Sequence, residues 1–250
     1  LLDVITHLFD LCLRNSFVPT QWKCANIIPV PKNSKPKDPS DYRPISLTST
    51  LCKVFERILS KRILGLTKSI WLDNQQFGFL PKRNTTQAIA QVVDDWSKAL
   101  DQRKSVHAIF FDFSKAFDLV DHRILLEKLA KILPVCITSW IAEYLSNRSQ
   151  RVFSKQYQSE WKPVEAGVIQ GSVLGPTLFV LFLADIVDYI PDRVSAPKYA
   201  DDILAYQIIR SSEENKIQEA ADGIAIWSAI NSMKLNLEKT KKMILNEHDI

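Results

Sequence analysis

Asp112, Asp201 and Asp202 are carboxylates in hydrophobic company. Tyr199-Ala200-Asp201-Asp202 runs straight into Ile203, Leu204 and Ala205, and Asp112 closes the apolar run Ile109-Phe110-Phe111. Charges in such surroundings are costly to desolvate unless they are paired or bound to a cation. In a regular strand Asp201 and Asp202 would point to opposite faces, whereas at a hairpin turn both can be presented near one site. Two such strands side by side would assemble hard oxygen ligands of the kind Mg²⁺ takes. A pair of divalent ions about 3.5–4 Å apart drives phosphoryl and nucleotidyl transfer, one activating the attacking hydroxyl and the other stabilising the leaving pyrophosphate. An Asp-Asp pair is also common in turns and helix caps, and Asp94-Asp95 of this chain reads as such a solvated pair.

A second stretch is unusual for its glycines. The chain has six, where average usage of roughly 7% would give about 17. Half of them lie in Gly167-Val168-Ile169-Gln170-Gly171-Ser172-Val173-Leu174-Gly175-Pro176. Glycine permits close backbone approach and positive φ, and Gly-Pro then launches a helix. A tight loop feeding a helix N-terminus can seat a nucleotide or a template backbone. The plainer alternative is a turn between a hairpin and a core helix.

Charge is distributed unevenly. Net charge is only +4, but residues 23–83 hold twelve Lys or Arg against four acidic residues, a balance of +8 that leaves −4 for the rest. A basic first third beside an acidic remainder suits a phosphate-binding surface facing a cluster of carboxylates, or a solvated lysine-rich surface. At 46% hydrophobic and 24% charged residues, the 250-residue chain is neither a disordered tail, a collagen nor a coiled-coil rod. Cys12, Cys24, Cys52 and Cys136 show no C-x-x-C pairing and no finger spacing with histidines, so a reducing compartment is the simpler expectation. The longest apolar stretch, residues 173–190, contains Gly175, Pro176, Asp185 and Asp188 and falls short of a clean membrane span. No signal peptide is visible, and a chain opening at Leu1 inside a helical pattern reads as a fragment of something longer.

The elements that must position these residues follow from the pattern. Prolines crowd residues 29–44, which must be strand edge or loop. Leu51, Val54, Phe55, Ile58, Leu59 and Ile63 recur at helical spacing, as do Ile89, Val92, Val93 and Trp96. Residues 105–113 read as a buried strand that delivers Asp112, and residues 119–133 as a helix. Residues 151–169 alternate like a hairpin broken at Pro163, and a buried helix follows over about 176–189. Two short strands flank Ala200-Asp201-Asp202, an amphipathic helix covers 213–230 with Trp227 in its core face, and another strand or two lies in 233–245. Long helices with few strands between them indicate an α+β fold.

Read in order, these motifs resemble the reverse transcriptases of non-LTR (LINE-type) retrotransposons over nearly the whole chain. Asn26-Ile27-Ile28-Pro29-Val30-Pro31-Lys32 and Asp41-Tyr42-Arg43-Pro44-Ile45-Ser46-Leu47 are similar to that family's fingers segments. Gln75-Gln76-Phe77-Gly78-Phe79, followed by Thr85-Thr86-Gln87-Ala88, is typical of it too. Phe111-Asp112-Phe113-Ser114-Lys115-Ala116-Phe117-Asp118, Gly171-Ser172-Val173-Leu174-Gly175-Pro176 and Tyr199-Ala200-Asp201-Asp202 resemble successive catalytic motifs, and Lys234-Leu235-Asn236-Leu237-Glu238-Lys239-Thr240 the next one. Ile169 stands where family members commonly have proline, a change in loop stiffness.

The resemblance implies a right-hand polymerase fold, with a fingers region and N-terminal helical segment over residues 1–100, a palm over 101–250, and no thumb. It implies RNA-directed DNA synthesis, with an RNA template, a DNA primer, deoxynucleotides and two Mg²⁺ ions, for which Mn²⁺ can substitute. Asp112, Asp201 and Asp202 would be the catalytic metal ligands, and Phe113 would contribute backbone at the second metal. Lys32 and Arg43 would grip the triphosphate. Phe117 would exclude a 2′-hydroxyl, and Gln170 and Gly171 would lie beside the nucleotide's sugar and base. Lys239 would protonate the pyrophosphate, or else be an exposed lysine in a basic run. Arg43 has Asp41 and Glu56 as rival partners, and Phe117 has ordinary packing as a rival role. No membrane association is implied; priming at chromosomal DNA would place the protein in the nucleus, and nothing in the sequence fixes its oligomeric state. Two rival readings are a domesticated or inactive remnant that binds nucleic acid without catalysis, and a group II intron-type maturase.

Overall fold

A computed structural model of the chain describes residues 1–67, 72–154, 157–210 and 213–246. The helices are α1 (Leu2–Arg14), α2 (Thr20–Lys23), α3 (Thr50–Thr67), α4 (Thr85–Asp101), α5 (His122–Ala130), α6 (Val135–Leu145), α7 (Leu174–Leu183) and α8 (Ile217–Ile230). The strands are β1 (Cys24–Pro31), β2 (Tyr42–Leu47), β3 (Ser105–Phe111), β4 (Arg148–Val152), β5 (Lys162–Val164), β6 (Lys198–Tyr199), β7 (Asp202–Ile209) and β8 (Lys241–Leu245). The architecture is α+β, as the pattern of long helices and sparse strands requires. No helix among the described residues is long and apolar enough to cross a membrane. Two compact units emerge, each discontinuous in sequence: Leu1–Ile70 with Val120–Leu178, and Trp71–Leu119 with Phe179–Ile250. They do not follow a single cut near residue 100.

In the first unit the sheet order is β2-β1-β4-β5. β1 runs antiparallel to β2, from Asn26↔Leu47 to Pro31↔Tyr42, and parallel to β4 only over Cys24↔Ser149 to Ile27↔Val152. Pro29 and Pro31 therefore sit beyond the reach of β4, and Pro44 sits on the edge strand β2. These are places where a missing N–H costs no ladder bond. In the same unit, Phe55 of α3 packs on Phe9 at 4.8 Å and edge-on against Trp140 at 4.9 Å. Trp140 belongs to α6, an element that the sequence pattern did not single out. Its buried residues Ile137, Trp140, Ile141, Tyr144 and Leu145 nevertheless recur at helical spacing behind Pro134.

In the second unit the sheet is β6-β7-β3-β8, antiparallel throughout. Alternation gives it two faces. Val106, Ala108 and Tyr206 bury themselves against Ala99 and Trp96 of α4. Trp227 of α8 is fully buried and packs edge-on against Phe113, and its indole N–H donates to Asp185 at 2.8 Å. That is the core role expected for it. Asp95 departs from expectation: it accepts a hydrogen bond from the Tyr206 hydroxyl and ties α4 to β7, while its neighbour Asp94 pairs with Lys98 on the helix surface.

Candidate active site

Asp112 follows directly on β3, and the register Phe111↔Ile203 places it one step on, opposite Asp202. On the other strand, Tyr199 pairs with Asp202 across a two-residue turn made of Ala200 and Asp201. Ala200 takes φ +59°, which closes this turn tightly enough to present Asp201 and Asp202 at one end of the sheet. The sheet thus brings together the three acids that the sequence singles out.

The turn is braced from outside the two strands. Residues 75–77 lie alongside β6: the Lys198 amide donates to the Gln75 carbonyl at 2.7 Å and the Phe77 amide to the Lys198 carbonyl at 2.8 Å. Gly78 then passes so near the turn that a Cβ there would lie 2.2 Å from the Ala200 nitrogen. Only glycine permits this approach. Lys198 itself is almost wholly buried, with Nζ 2.6 Å from Asp73 Oδ2, so the brace is pinned by an ion pair as well as by backbone bonds.

Phe113 meets Leu235 in an antiparallel bridge, flanked by the Asn236 amide donating to the Asp112 carbonyl and the Ser114 amide donating to the Lys234 carbonyl. In that pattern Phe113's own amide and carbonyl turn away from the 234–236 segment, toward the β7 side of β3. Phe117 is half-buried; its ring stacks on Phe179 at 4.4 Å and meets Phe79 edge-on at 5.7 Å. Lys239 is largely exposed, as a solvated lysine would be, yet its Nζ lies 3.6 Å from Asp112 Oδ2. Asn236, to which the sequence reading assigns no role, donates from Nδ2 to the same Oδ2 at 3.0 Å.

The remaining candidates belong to the first unit. Lys32 continues the β1–β2 hairpin and gives its ammonium to the Ser40 carbonyl at 2.8 Å. Arg43, exposed on β2, takes neither of its rival partners. Asp41 caps the amides of Lys37 and Asp38. Glu56 is fully buried; it accepts from the Val173 and Leu174 amides at 2.6 and 3.0 Å and from the Tyr144 hydroxyl at 3.0 Å. Gln170 docks on the free edge of β2, its carbonyl accepting the Ser46 amide at 2.7 Å. Gly171 has φ +101°, and a Cβ on it would sit 2.7 Å from the Ser46 carbonyl oxygen. The glycine loop is therefore held against the hairpin that carries Lys32 and Arg43.

Electrostatics distinguish the acids. Burial pushes the Asp201 carboxyl above the ordinary aspartate range, and the charges of Asp202 and Asp112 push it further, against the pull of its own backbone amide and Lys239. Asp202 is raised likewise by burial and by Asp112, with Lys239 opposing. Among the described residues no three His, Cys, Asp or Glu side chains are grouped so as to hold a metal ion by themselves. Mg²⁺ seldom relies on such a group; it keeps several waters and takes one or two carboxylates plus substrate phosphates. A hard, mutually repelling carboxylate set with one ammonium beside it fits that mode of binding.

A family model described as reverse transcriptase (RNA-dependent DNA polymerase) matches residues 30–248. The chain is 34% identical over 243 residues to the probable RNA-directed DNA polymerase from transposon BS of Drosophila melanogaster, covering 93% of this chain and 27% of that one. It is 32% identical over 250 residues to the RNA-directed DNA polymerase from mobile element jockey of the same species, covering 95% and 27%. The chain thus spans about a quarter of the length of these curated relatives. Among solved structures, apo telomerase from Candida tropicalis truncated from its C-terminal domain superposes with a TM-score of 0.65 at 13% identity, over 97% of this chain and 55% of that one. Telomerase of the same species in complex with a fragment of telomeric RNA gives 0.66 at 14% identity, over 91% and 42%. At such identities the likeness is one of fold, the right-hand polymerase fold.

Proposed function

Because the chain belongs to the reverse transcriptase (RNA-dependent DNA polymerase) family, we propose that it is the RNA-directed DNA polymerase part of a non-LTR retrotransposon protein, adding deoxynucleotides to a primer 3′-hydroxyl on an RNA template. One observation carries the reading: the β3–β7 register sets Asp112 opposite the Asp201-Asp202 turn, at one end of the sheet. Two divalent ions, Mg²⁺ with Mn²⁺ able to substitute, would be held by Asp112, Asp201, Asp202 and the Phe113 carbonyl, and would supply activation of the hydroxyl and charge stabilisation at the phosphates.

The chain's own residues do the rest. Lys32 and Arg43 bind the triphosphate and offset charge that grows in the transition state. Gln170 and Gly171 lie along the sugar and base. Phe117, fixed between Phe79 and Phe179, fills the space that a 2′-hydroxyl would need. Lys239 delivers a proton to the departing pyrophosphate. In this reading residues 1–100 form the fingers and 101–250 the palm, and priming at chromosomal DNA puts the protein in the nucleus.

The test is primer extension on an RNA template with deoxynucleotides and Mg²⁺, run beside Asp201→Asn in the longest natural protein that contains these residues. Extension that vanishes in the variant supports the polymerase and its acids together. Extension that survives in the variant overturns the assignment.

A further inference from the structure

Asn236 makes more bonds at the centre of the acidic site than a turn residue needs. Its backbone amide donates to the Asp112 carbonyl at 2.8 Å and its side-chain Nδ2 donates to Asp112 Oδ2 at 3.0 Å. One residue thus grips Asp112 by both main chain and carboxylate. On its other side Asn236 organises the turn that follows: its carbonyl accepts the amides of Lys239 at 3.2 Å and Thr240 at 2.9 Å, and its Oδ1 faces the Lys239 amide at 3.4 Å. The amide orientation is dictated by chemistry. A carboxylate can only accept and a backbone N–H can only donate, so Nδ2 must face Asp112 and Oδ1 must face Lys239.

Both cationic and amide donors reach the same oxygen of Asp112. Lys239 Nζ lies 3.6 Å from Oδ2, the atom that Asn236 also holds. Among the described residues Oδ1 takes no hydrogen bond, so the carboxylate is locked in rotation with one oxygen engaged and the other left open. A carboxylate restrained in this way is ready for a ligand without the entropy of orienting it.

We propose that Asn236 is the positioning residue for Asp112: it fixes the rotation of the carboxylate, reserves Oδ1 for a divalent cation, and places Lys239 at the same site. This rests on the reading of Asp112 as a metal-binding acid. The bland alternative is that Asn236 is only a turn-former, and the two roles separate cleanly by substitution. Asn236→Asp keeps the oxygen that faces the Lys239 amide but replaces the donor to Asp112 with a second repelling oxygen. Asn236→Ala loses both.

The experiment measures Mn²⁺ binding by electron paramagnetic resonance alongside primer extension in the full protein, for wild type, Asp112→Asn, Asn236→Ala and Asn236→Asp, with thermal unfolding of each. Positioning predicts that both Asn236 variants lose roughly 10- to 100-fold in Mn²⁺ affinity and in kcat. The deoxynucleotide KM should hold within about twofold, since the lost interaction is not with the nucleotide. Asn236→Asp should be no better than Asn236→Ala, and all variants should unfold cooperatively. Wild-type Mn²⁺ affinity and kcat in Asn236→Asp, with loss only in Asn236→Ala, would leave a turn-former and overturn the proposal. If Asp112→Asn itself binds Mn²⁺ and extends primers like wild type, or wild type binds no Mn²⁺, the metal reading of the site falls and the inference falls with it.

Discussion

Two regions of the molecule bury carboxylates, and they treat them in opposite ways. Glu56 is completely buried in the first unit, and its oxygens are met by two backbone amides at the start of α7, by the Tyr144 hydroxyl and by the Cys52 thiol. In the second unit Asp112 and Asp201 are only part-buried and Asp202 is exposed. The charges of Asp112 and Asp202 raise the proton affinity of Asp201, that of Asp112 raises Asp202, and among the described residues their ion pairing is one long contact to an exposed lysine. A buried charge whose lone pairs are all answered is a structural fastener; it joins α3, α6 and the glycine loop. Charges crowded together with open oxygens are unfinished and need a cation. On the proposed reading, incomplete compensation and not burial is what sets the functional acids apart.

The widest contrast comes from removing one charge at each site. Asp201→Asn should lower primer extension by roughly 10³-fold or more, about 4 kcal/mol of transition-state stabilisation, without lowering the denaturation midpoint. Glu56→Leu should do the reverse. It strands two amides and a hydroxyl in the interior, at about 1–3 kcal/mol for each group left unsatisfied. A urea titration should therefore show a larger stability loss for Glu56→Leu than for Asp201→Asn, Gly78→Ala or either Asn236 variant, with activity falling only as the folded fraction falls. A Glu56→Leu protein that stays stable, or an Asp201→Asn protein that unfolds early, would erase the distinction.

Gly78→Ala probes the boundary between the two behaviours. Its Cβ would meet the Ala200 backbone at 2.2 Å, and neither a helix nor a flexible side chain is there to yield. Overpacking of this kind costs typically 1–3 kcal/mol. The displacement falls on the turn that carries Asp201, and misplacing a reacting group by about 1 Å can cost roughly 10²-fold. Steady-state extension should thus drop by far more than the change in midpoint accounts for. A rate loss no larger than the stability loss would mean that the turn is not held by this contact.

How much of the fold and the site was legible in the chain depends on the kind of bond involved. Asp112, Asp201 and Asp202 stand out because a carboxylate in a strand pattern breaks a local rule, and the same logic marked the glycine loop by composition. The brace at residues 75–78 is invisible to that logic, since most of its bonds run through the main chain and its ion pair joins residues 73 and 198, far apart in sequence; the resemblance marked the stretch, but not what it holds. Glu56 did carry a signal. It lies on the buried stripe Cys52, Phe55, Leu59 and Ile63 of α3, where an acid must have partners, but those partners come from residues 144 and 173–174, which spacing cannot supply. Asn236 was hidden differently. An asparagine three residues before a lysine reads as an ordinary turn, and only the register of Phe113 against Leu235 shows that its amide reaches Asp112. The chain's discontinuous units likewise follow from long-range pairing, not from any composition shift near residue 100.

The smallest expected effect is also the one that reads the comparison through pH. Burial and mutual repulsion raise Asp201 and Asp202 above the usual aspartate value of 3.8. Between that value and the raised one the folded chain binds more protons than the unfolded chain, so these groups contribute stability that grows as pH falls and is lost as pH rises through the folded pKa. Glu143 has the opposite sign. The hydrogen bond from Lys23 holds its carboxyl below the usual range, so its contribution is present above the ordinary glutamate pKa and disappears as pH falls through the lowered one. At neutral pH an Asp201→Asn, Asp202→Asn double variant should therefore be slightly more stable than wild type, and the gap should close as the pH is lowered toward about 4. Added Mg²⁺ should close it from the other side, because a cation that binds only the folded acids raises the wild-type midpoint by mass action and leaves the variant unmoved. Urea midpoints at several pH values, with and without Mg²⁺, make the measurement. A gap that widened on acidification, or ignored Mg²⁺, would show that the three acids are as fully compensated as Glu56, and the contrast between the two regions would be gone.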